Sequence, residues 1–566
     1  MKDTIAKLLK KALAEKGIEA REKDIENALE IPPSSELGDY SFPCFSLKEK
    51  LRDNPSKIAL EIKNHLSSSE VIDYVKSNGP YVNFFLKKEK IAKDLIKEIL
   101  TKKENYGKSK IKKGKIMVEF PSPNTNKPLH LGHLRNMSIG ESVSRILEFN
   151  GEKVIRANLN NDRGVHICKS MAAYEFYGKN KLPNIKSDHF VGDFYVLFNK
   201  KEKQDKKLEL EAQNMLQKWE QGDKKTIMLW KKMNKWALDG FKETYKKLGI
   251  HHDKEYFESN IYEKGREIIL NGFKKGIFEK NSDGAIIADL KQESLGEKVL
   301  LRADGTSVYI TQDIYLAKLK FDEFKLTKSI YVVGNEQDYH FNVLFYILKK
   351  LKFGFADNLK HLSYGMVNLP EGKMKSREGT VVDADDLIDE VQNLVKKELN
   401  SRYKLSKKEI ESRSLKIALS AIRYFLLKVD TRKDMIFNPK ESINFEGDTG
   451  PYILYSYARA SSILKKANKK LKKEFAIKNN LGKIEFELIK KLLQFKEILS
   501  SAYNNINPSV IANYSYQLSQ LFNEFYHSSP VIGSDNESFL LSFVDAFRQV
   551  LKNSLFLLGI DAIEEM

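Results

Sequence analysis

Cysteine is nearly absent from this chain: among 566 residues only Cys44 and Cys168 carry a thiol. Two distant thiols exclude a disulfide scaffold and a four-cysteine zinc site. No stretch reaches the roughly 18 charge-free apolar residues of a membrane span. The opening MKDTIAKLLKKALAEKG is amphipathic and basic and lacks the uncharged apolar run of a signal peptide, so a reducing cytoplasm is the expected home. Acidic residues are in deficit, 77 Asp and Glu against 96 Lys and Arg, a formal net charge of +19. Such an excess fits a polyanionic partner such as nucleic acid about as well as it fits a lysine-rich soluble surface. There is no internal repeat and no low-complexity tract beyond lysine clusters such as Lys465, Lys466, Lys469, Lys470, Lys472 and Lys473. Material for cores is plentiful: 41% hydrophobic and 11% aromatic residues exclude wholesale disorder, and the length suggests about three or four domains.

Residues 3–30 read as a basic amphipathic helix, with Ile5, Leu8, Leu9, Ala12 and Leu13 at helical spacing. Turn-rich IPPSSELGDYSFPCF (31–45), a capped helix after Asn54–Pro55 and an aromatic strand within SNGPYVNFFL (77–86) complete an α+β unit. A charged helix over roughly 88–103 leads out of it. KIMVEF (115–120) reads as a strand running into the loop PSPNTNKPLHLGH and then a helix, LRNMSIGESVSRILEFNG. KVIRANL (153–159) is the next strand. Strand, loop, helix, strand is the opening of a doubly wound parallel sheet, and GAIIADL (284–290), SVYIT (307–311) and SIYVVG (329–334) supply further strands. The stretch 165–280 reads as a helical insertion or layer, and from about 405 helical periodicity takes over and strand signals vanish. The expected fold is a multidomain α/β protein: a doubly wound, Rossmann-like catalytic domain between an N-terminal α+β domain and a C-terminal all-α bundle.

Two constellations carry chemistry. His130-Leu131-Gly132-His133 lies between a strand and a helix. Gly132 lets a flat base or ribose approach the backbone. The helix start offers free N–H groups to a phosphate, and two imidazoles can donate hydrogen bonds to phosphoryl oxygens that gain charge in a displacement. Alone, the motif is equally a capped helix with two incidental histidines. Gly372-Lys373-Met374-Lys375-Ser376-Arg377-Glu378-Gly379 joins three cations and a hydroxyl between glycines, an anion clamp or a solvated basic turn. In this order, on a nucleotide-binding style of sheet, the two motifs reinforce each other.

The pair resembles the two signatures of class I aminoacyl-tRNA synthetases, and the surrounding residues are similar to the arginyl-tRNA synthetase family. VEFPSPNTNKPLHLGHLRN (118–136) resembles its extended first signature. ADGTSVYITQDI (303–314) and VVGNEQDYHF (332–341) resemble its amino-acid pocket, GDTGPYILYSYARASSIL (447–464) the start of its anticodon-binding helices, and GDYSFPCFSL (38–47) with GPYVNFFL (79–86) its extra N-terminal domain. The resemblance implies an ATP-dependent ligation, in which the arginine carboxylate attacks the α-phosphorus of ATP, pyrophosphate leaves, and arginine passes to the terminal adenosine of tRNA(Arg). It implies a tRNA-contacting domain over 1–105, a catalytic domain over 106–405, a connecting stem over 406–448 and an anticodon-binding domain over 449–566. ATP enters as a substrate with Mg2+, no zinc or other resident metal is expected, no membrane is involved, and the working unit is expected to be a monomer.

By the same resemblance, His130, His133, Lys127, Lys373, Lys375, Ser376 and Arg377 are the catalytic candidates. Pro123, Gly132 and Met366 join His130, His133 and Lys373 around ATP. Asn124, Glu119 and Gln337 would bind the amino and carboxylate end of arginine, while Tyr309, Asp313 and Glu258 would hold its guanidinium, whose five donors call for carboxylates. The chain departs from the general Lys-Met-Ser-Lys pattern: Ser376 stands at the second lysine, and upstream Lys127 is the candidate to compensate. It also has Asn161-Asp162-Arg163-Gly164 where family members often carry Gly-Asp-Trp-Gly, and Gln312 where they often carry Arg. Among the C-terminal aromatics, Phe522 and Phe525 follow core spacing rather than that of a base-stacking face. Competing readings are a class I synthetase for another amino acid, a small-molecule nucleotidylyltransferase, and a catalytically dead tRNA-binding paralogue.

Overall fold

A computed structural model describes residues 2–66, 69–205, 207–370, 382–468, 475–478 and 481–566. The chain forms two compact units, one of residues 1–103, 466–493 and 524–547, the other of residues 104–465, 494–523 and 548–566. Among the described residues no helix is long and apolar enough to cross a membrane.

In the first unit the expected helix over 3–30 is two helices: Lys2–Ala14, whose buried Ile5, Ala6, Leu9, Ala12 and Leu13 trace one face, and Glu22–Ala28, with Gly17 at positive φ in the turn between them. A three-stranded antiparallel sheet follows, with Tyr81–Leu86 between Tyr40–Pro43 and Ile72–Asn78. Helix Pro55–Asn64 starts as predicted: the Asn54 side chain accepts from the Ser56 N–H and proline takes the first turn.

The second unit is built on five parallel strands, β1 (Lys115–Glu119), β2 (Lys153–Asn160), β3 (Lys254–Phe257), β4 (Lys328–Gly334) and β5 (Leu359–Tyr364). Their order across the sheet is β5-β4-β1-β2-β3, and every neighbouring pair is parallel. The order reverses between β1 and β4, the switch point at which doubly wound sheets open a crevice at their carboxyl ends. Helix α1 (Leu131–Phe149) follows β1 and is buried on nearly every side, polar Asn136, Glu141 and Ser142 included.

Four sequence expectations are corrected here. GAIIADL forms Ile286–Leu290, which lies in a separate antiparallel sheet with Glu279–Lys280 and Gly296–Leu301, not in the parallel sheet. SVYIT is not a strand: after Ser307 bridges Leu301, helix α2 (Tyr309–Phe324) begins. Its β-branched start misleads locally, but Ile310, Ile314, Ala317 and Phe321 all bury at helical spacing, and tertiary burial overrides β propensity. The 165–280 insertion is helical over Val165–Tyr177, Ser187–Glu202, Lys207–Glu220 and Lys224–Leu248, yet it also contributes the edge strand β3. Beyond 405, among the described residues, one two-residue strand survives, Met435–Ile436, paired in parallel with Val367–Asn368. Helices α3 (Ala384–Arg402) and α4 (Lys407–Lys428) follow β5 in the chain.

Candidate active site

After β1 the chain crosses the carboxyl edge of the sheet and enters α1 at the HLGH motif. His130 is the N-cap, and its Nδ1 accepts the Gly132 N–H at 3.1 Å. In return the Nδ1 of His133 accepts the His130 N–H at 3.1 Å. The two histidines form the reciprocal cap that Ser and Glu make in other helices, with ring centroids 3.9 Å apart. A nitrogen that accepts from an N–H carries no proton, so both rings are held as the tautomer protonated at Nε2. Burial, together with the nearby Lys127 ammonium, pushes the His130 pKa down to about 3. Burial, the His130 ring and Lys127 hold His133 well below the ordinary range. The motif therefore offers neutral Nε2–H donors, and its cation is Lys127.

Gly132 is needed for a reason the sequence does not announce. A Cβ there would meet His130 Cε1 at 2.9 Å, so any side chain would displace the capping ring. Pro123 is buried in the same loop, its carbonyl accepting from the Asn161 N–H at 3.0 Å. The neighbouring Asn124 is exposed and pairs with Asn161, joining the loops after β1 and β2.

Lys373, Lys375, Ser376 and Arg377 lie outside the described residues, but the segments on both sides of them are tied to the first motif. Downstream, Leu131 N–H donates to the Val382 carbonyl at 3.1 Å and Ala384 N–H to the Leu129 carbonyl at 2.9 Å, an antiparallel bridge centred on His130 and Asp383. Upstream, the carbonyls of Gly365 and Met366 accept from Arg135 of α1 at 2.6 and 3.0 Å. The described segments that precede and follow residues 371–381 thus both meet the helix that carries the first motif.

The acidic candidates form a second group. Glu258 starts the short helix Glu258–Ile261 directly after β3 and is 6% exposed. Burial raises its pKa to about 7, with Asp162 and Asp313 adding to the rise and the Arg163 guanidinium opposing it. Asp162 is itself held by Ser259, accepting from its N–H at 2.9 Å and its hydroxyl at 2.7 Å. Asp313 lies in the second turn of α2, not at a strand end and not at the N-cap, which is Val308; its Oδ2 is 2.7 Å from His340 Nε2. Tyr309, the first residue of α2, is 68% exposed; the partial burial of its hydroxyl and the nearby Glu258 raise its pKa. Glu119 is buried at the end of β1 and paired with Lys320, which is fully buried and also feels Asp313. Gln337 is exposed on the single turn Asn335–Gln337 after β4, on the other side of the switch point.

Lys320, His340, Arg163 and Arg135 were not singled out as site residues by sequence reasoning. His340 lies within the quoted VVGNEQDYHF and Arg135 within HLGHLRN, so their segments were visible while their partners were not. Asp188, His189 and Asp385 lie close enough to share a cation. The Lys186 ammonium already fills that position, 2.8 Å from Asp188 and 2.9 Å from Asp385. The residues present therefore fit a lysine better than a metal ion.

Comparison with known proteins matches the profile of tRNA synthetases class I (R), catalytic domain, over residues 95–439. A DALR anticodon binding domain matches over 453–566, and an arginyl tRNA synthetase N terminal domain over 3–86. The arginine–tRNA ligase of Treponema denticola is 48% identical over 559 residues, 95% of this chain and 94% of that protein. That of Borrelia hermsii is 44% identical over 100% of this chain and 99% of its own. The Thermus thermophilus arginyl-tRNA synthetase structure superposes with a TM-score of 0.82 at 26% identity, covering 100% of both chains.

Proposed function

The chain belongs to the arginyl-tRNA synthetase family, and from that footing we propose how its residues carry out the reaction of an arginine–tRNA ligase. The enzyme joins arginine to tRNA(Arg) at the expense of ATP. The arginine carboxylate displaces pyrophosphate from the α-phosphorus, and the acyl group then moves to the 3′-terminal adenosine. Positioning and charge stabilisation carry most of such a displacement.

The Nε2–H groups of His130 and His133 donate to phosphoryl oxygens without carrying charge themselves. The positive end of α1 and Lys127 supply the field, joined by Lys373, Lys375 and Arg377, with Ser376 as a donor. Pro123, Gly132 and Met366 border the base and ribose. ATP brings Mg2+ with it as part of the substrate.

Glu258 and Asp313, with Tyr309, receive the guanidinium; a neutral isostere would leave those carboxylates unpaired and is rejected. Asn124, Gln337 and Glu119 face the amino and carboxylate end, where Lys320 holds Glu119 in place. Residues 1–105 and 449–566 contact tRNA, with the catalytic domain at 106–405 and the stem at 406–448. The working unit is proposed to be a cytoplasmic monomer.

The observation that carries this reading is the backbone pairing of Leu129–Leu131 with Val382–Ala384, which brings the first signature against the residues that follow the second. ATP–pyrophosphate exchange with each of the twenty amino acids, with and without tRNA(Arg), tests it. Exchange should depend on arginine alone; stimulation by another amino acid would overturn the pocket assignment.

A further inference from the structure

Arg135 is fully buried, in the first signature's helix two residues after His133. Among the described residues no carboxylate lies within ion-pair range of it. Instead its guanidinium is spent on four backbone carbonyls. One terminal nitrogen donates to Gly365 and Met366 at 2.6 and 3.0 Å, the other to Thr431 and Lys433 at 3.3 and 2.7 Å. Burial lowers its pKa, a drop that Tyr364, Asp434 and Asp430 partly offset. A buried cation with no carboxylate in ion-pair range is a costly way to fill space, and a planar fork can hold two backbone segments at once.

Those two segments are already stitched together. Gly365 N–H donates to the Thr431 carbonyl at 2.9 Å, and Met435 N–H to the Met366 carbonyl at 2.9 Å. Met366 N–H donates to Asp434 at 2.7 Å. A Cβ on Gly365 would lie 2.5 Å from the Lys433 carbonyl, so the backbones touch. With its N–H and carbonyl engaged, Met366 has only its side chain to present, and the residue is 36% exposed. Next along α1, Asn136 ties the helix to β4 and β5, donating to the Val332 carbonyl at 2.6 Å and the Tyr364 hydroxyl at 3.2 Å.

We propose that Arg135 is a positioning residue of the adenylation step: it fixes Met366 relative to His130 and His133, so that the base and the phosphates of one ATP are gripped in register. The inference rests on the reading of Met366 and the two histidines as ATP contacts. Arg135 touches no substrate and acts through the Gly365–Met366 backbone. Arginine binding, which uses α2 and the end of β3, does not pass through it.

The test is arginine-dependent ATP–pyrophosphate exchange, with tRNA(Arg) present, by the full-length Arg135→Lys and Arg135→Met variants, normalised to active sites. The KM for ATP should rise tenfold or more in Arg135→Met and by less in Arg135→Lys, while the KM for arginine stays within twofold. The double variant Arg135→Lys/Met366→Ala should be no worse for ATP than the poorer of its single parents. If the losses multiply, or if both KM values hold while only the folded fraction and Tm fall, Arg135 is a packing residue and the proposal fails. Should Arg135→Met not fold, Gly365→Ala perturbs the same backbone without removing the cation and should raise the KM for ATP alone. Absence of arginine-dependent exchange in the unmodified enzyme would instead count against the ligase reading beneath the proposal.

Discussion

Glu258 gives the site a pH signature that can be worked through. In the free enzyme burial raises its carboxyl pKa to about 7, with Asp162 and Asp313 adding to the rise and Arg163 opposing it. A bound guanidinium pairs only with the ionised form and draws the pKa back toward the ordinary carboxylate range. Arginine binding therefore releases a proton wherever the free enzyme holds one. About a tenth of the free enzyme is ionised at pH 6 and about nine tenths at pH 8, so arginine affinity should fall roughly tenfold from pH 8 to pH 6, about 1.4 kcal/mol. Calorimetric titration in buffers of different ionisation enthalpy would read both the affinity and a release of about half a proton at pH 7. Glu258→Gln should bind more weakly and lose most of that slope. Stability moves the other way. A carboxyl whose folded pKa is raised adds stability that is complete below its unfolded pKa and is lost as pH rises through about 7. Without arginine, then, the unmodified enzyme should lose on the order of 3 kcal/mol relative to Glu258→Gln between pH 4.5 and pH 8. A flat affinity profile for the unmodified enzyme, or an unchanged slope in Glu258→Gln, would remove Glu258 from the guanidinium site.

Substitutions at two further positions separate roles that share a residue. His130→Asn keeps a side-chain acceptor for the helix start, whereas His130→Ala removes it. Both should lose about 100-fold in exchange rate, but only the alanine variant should lose about 1 kcal/mol in denaturant unfolding; equal activity in His130→Asn would show that the ring serves the cap alone. Asp313→Asn should weaken arginine by about 2 kcal/mol or more in equilibrium binding, with ATP affinity unmoved, and unchanged arginine affinity would assign Asp313 solely to His340.

Much of the fold was legible because its signals are local. Strands β1, β2 and β4 read as short β-branched or aromatic runs, and the N-terminal helix and the Asn54 cap announce themselves by spacing. The errors share one cause. SVYIT and GAIIADL have strand-like composition, but what decides their fate is which surface buries them. Tyr309–Phe324 becomes a helix because Ile310, Ile314, Ala317 and Phe321 reach one core, and β3 is a four-residue edge strand inside a charged helical stretch, too short to stand out. At the site, motif reasoning found the residues that resemble known signatures. It missed those defined by partners distant in sequence: Lys320 under Glu119, His340 against Asp313, and Arg135 on four carbonyls.

The same contrast bears on how HLGH works. Read as a string, two histidines beside a phosphate suggest two hydrogen-bond donors, with their charge state left open. The fold makes both of them neutral, because each ring gives its Nδ1 to a backbone N–H of the helix start and is then buried beside a lysine. A neutral donor that is already oriented stabilises charge developing on phosphate without paying out a proton, and it needs no reorganisation when pyrophosphate leaves. Charge and direction are thereby divided between different groups, Lys127 and the helix end providing the one and the imidazoles the other. On the proposed reading, such a division would let a chain with Ser376 in place of the second signature's last lysine keep its phosphate site. The field does not depend on that position alone, whereas the orientation of the two rings depends on Gly132, where a single added Cβ would meet the His130 ring at 2.9 Å.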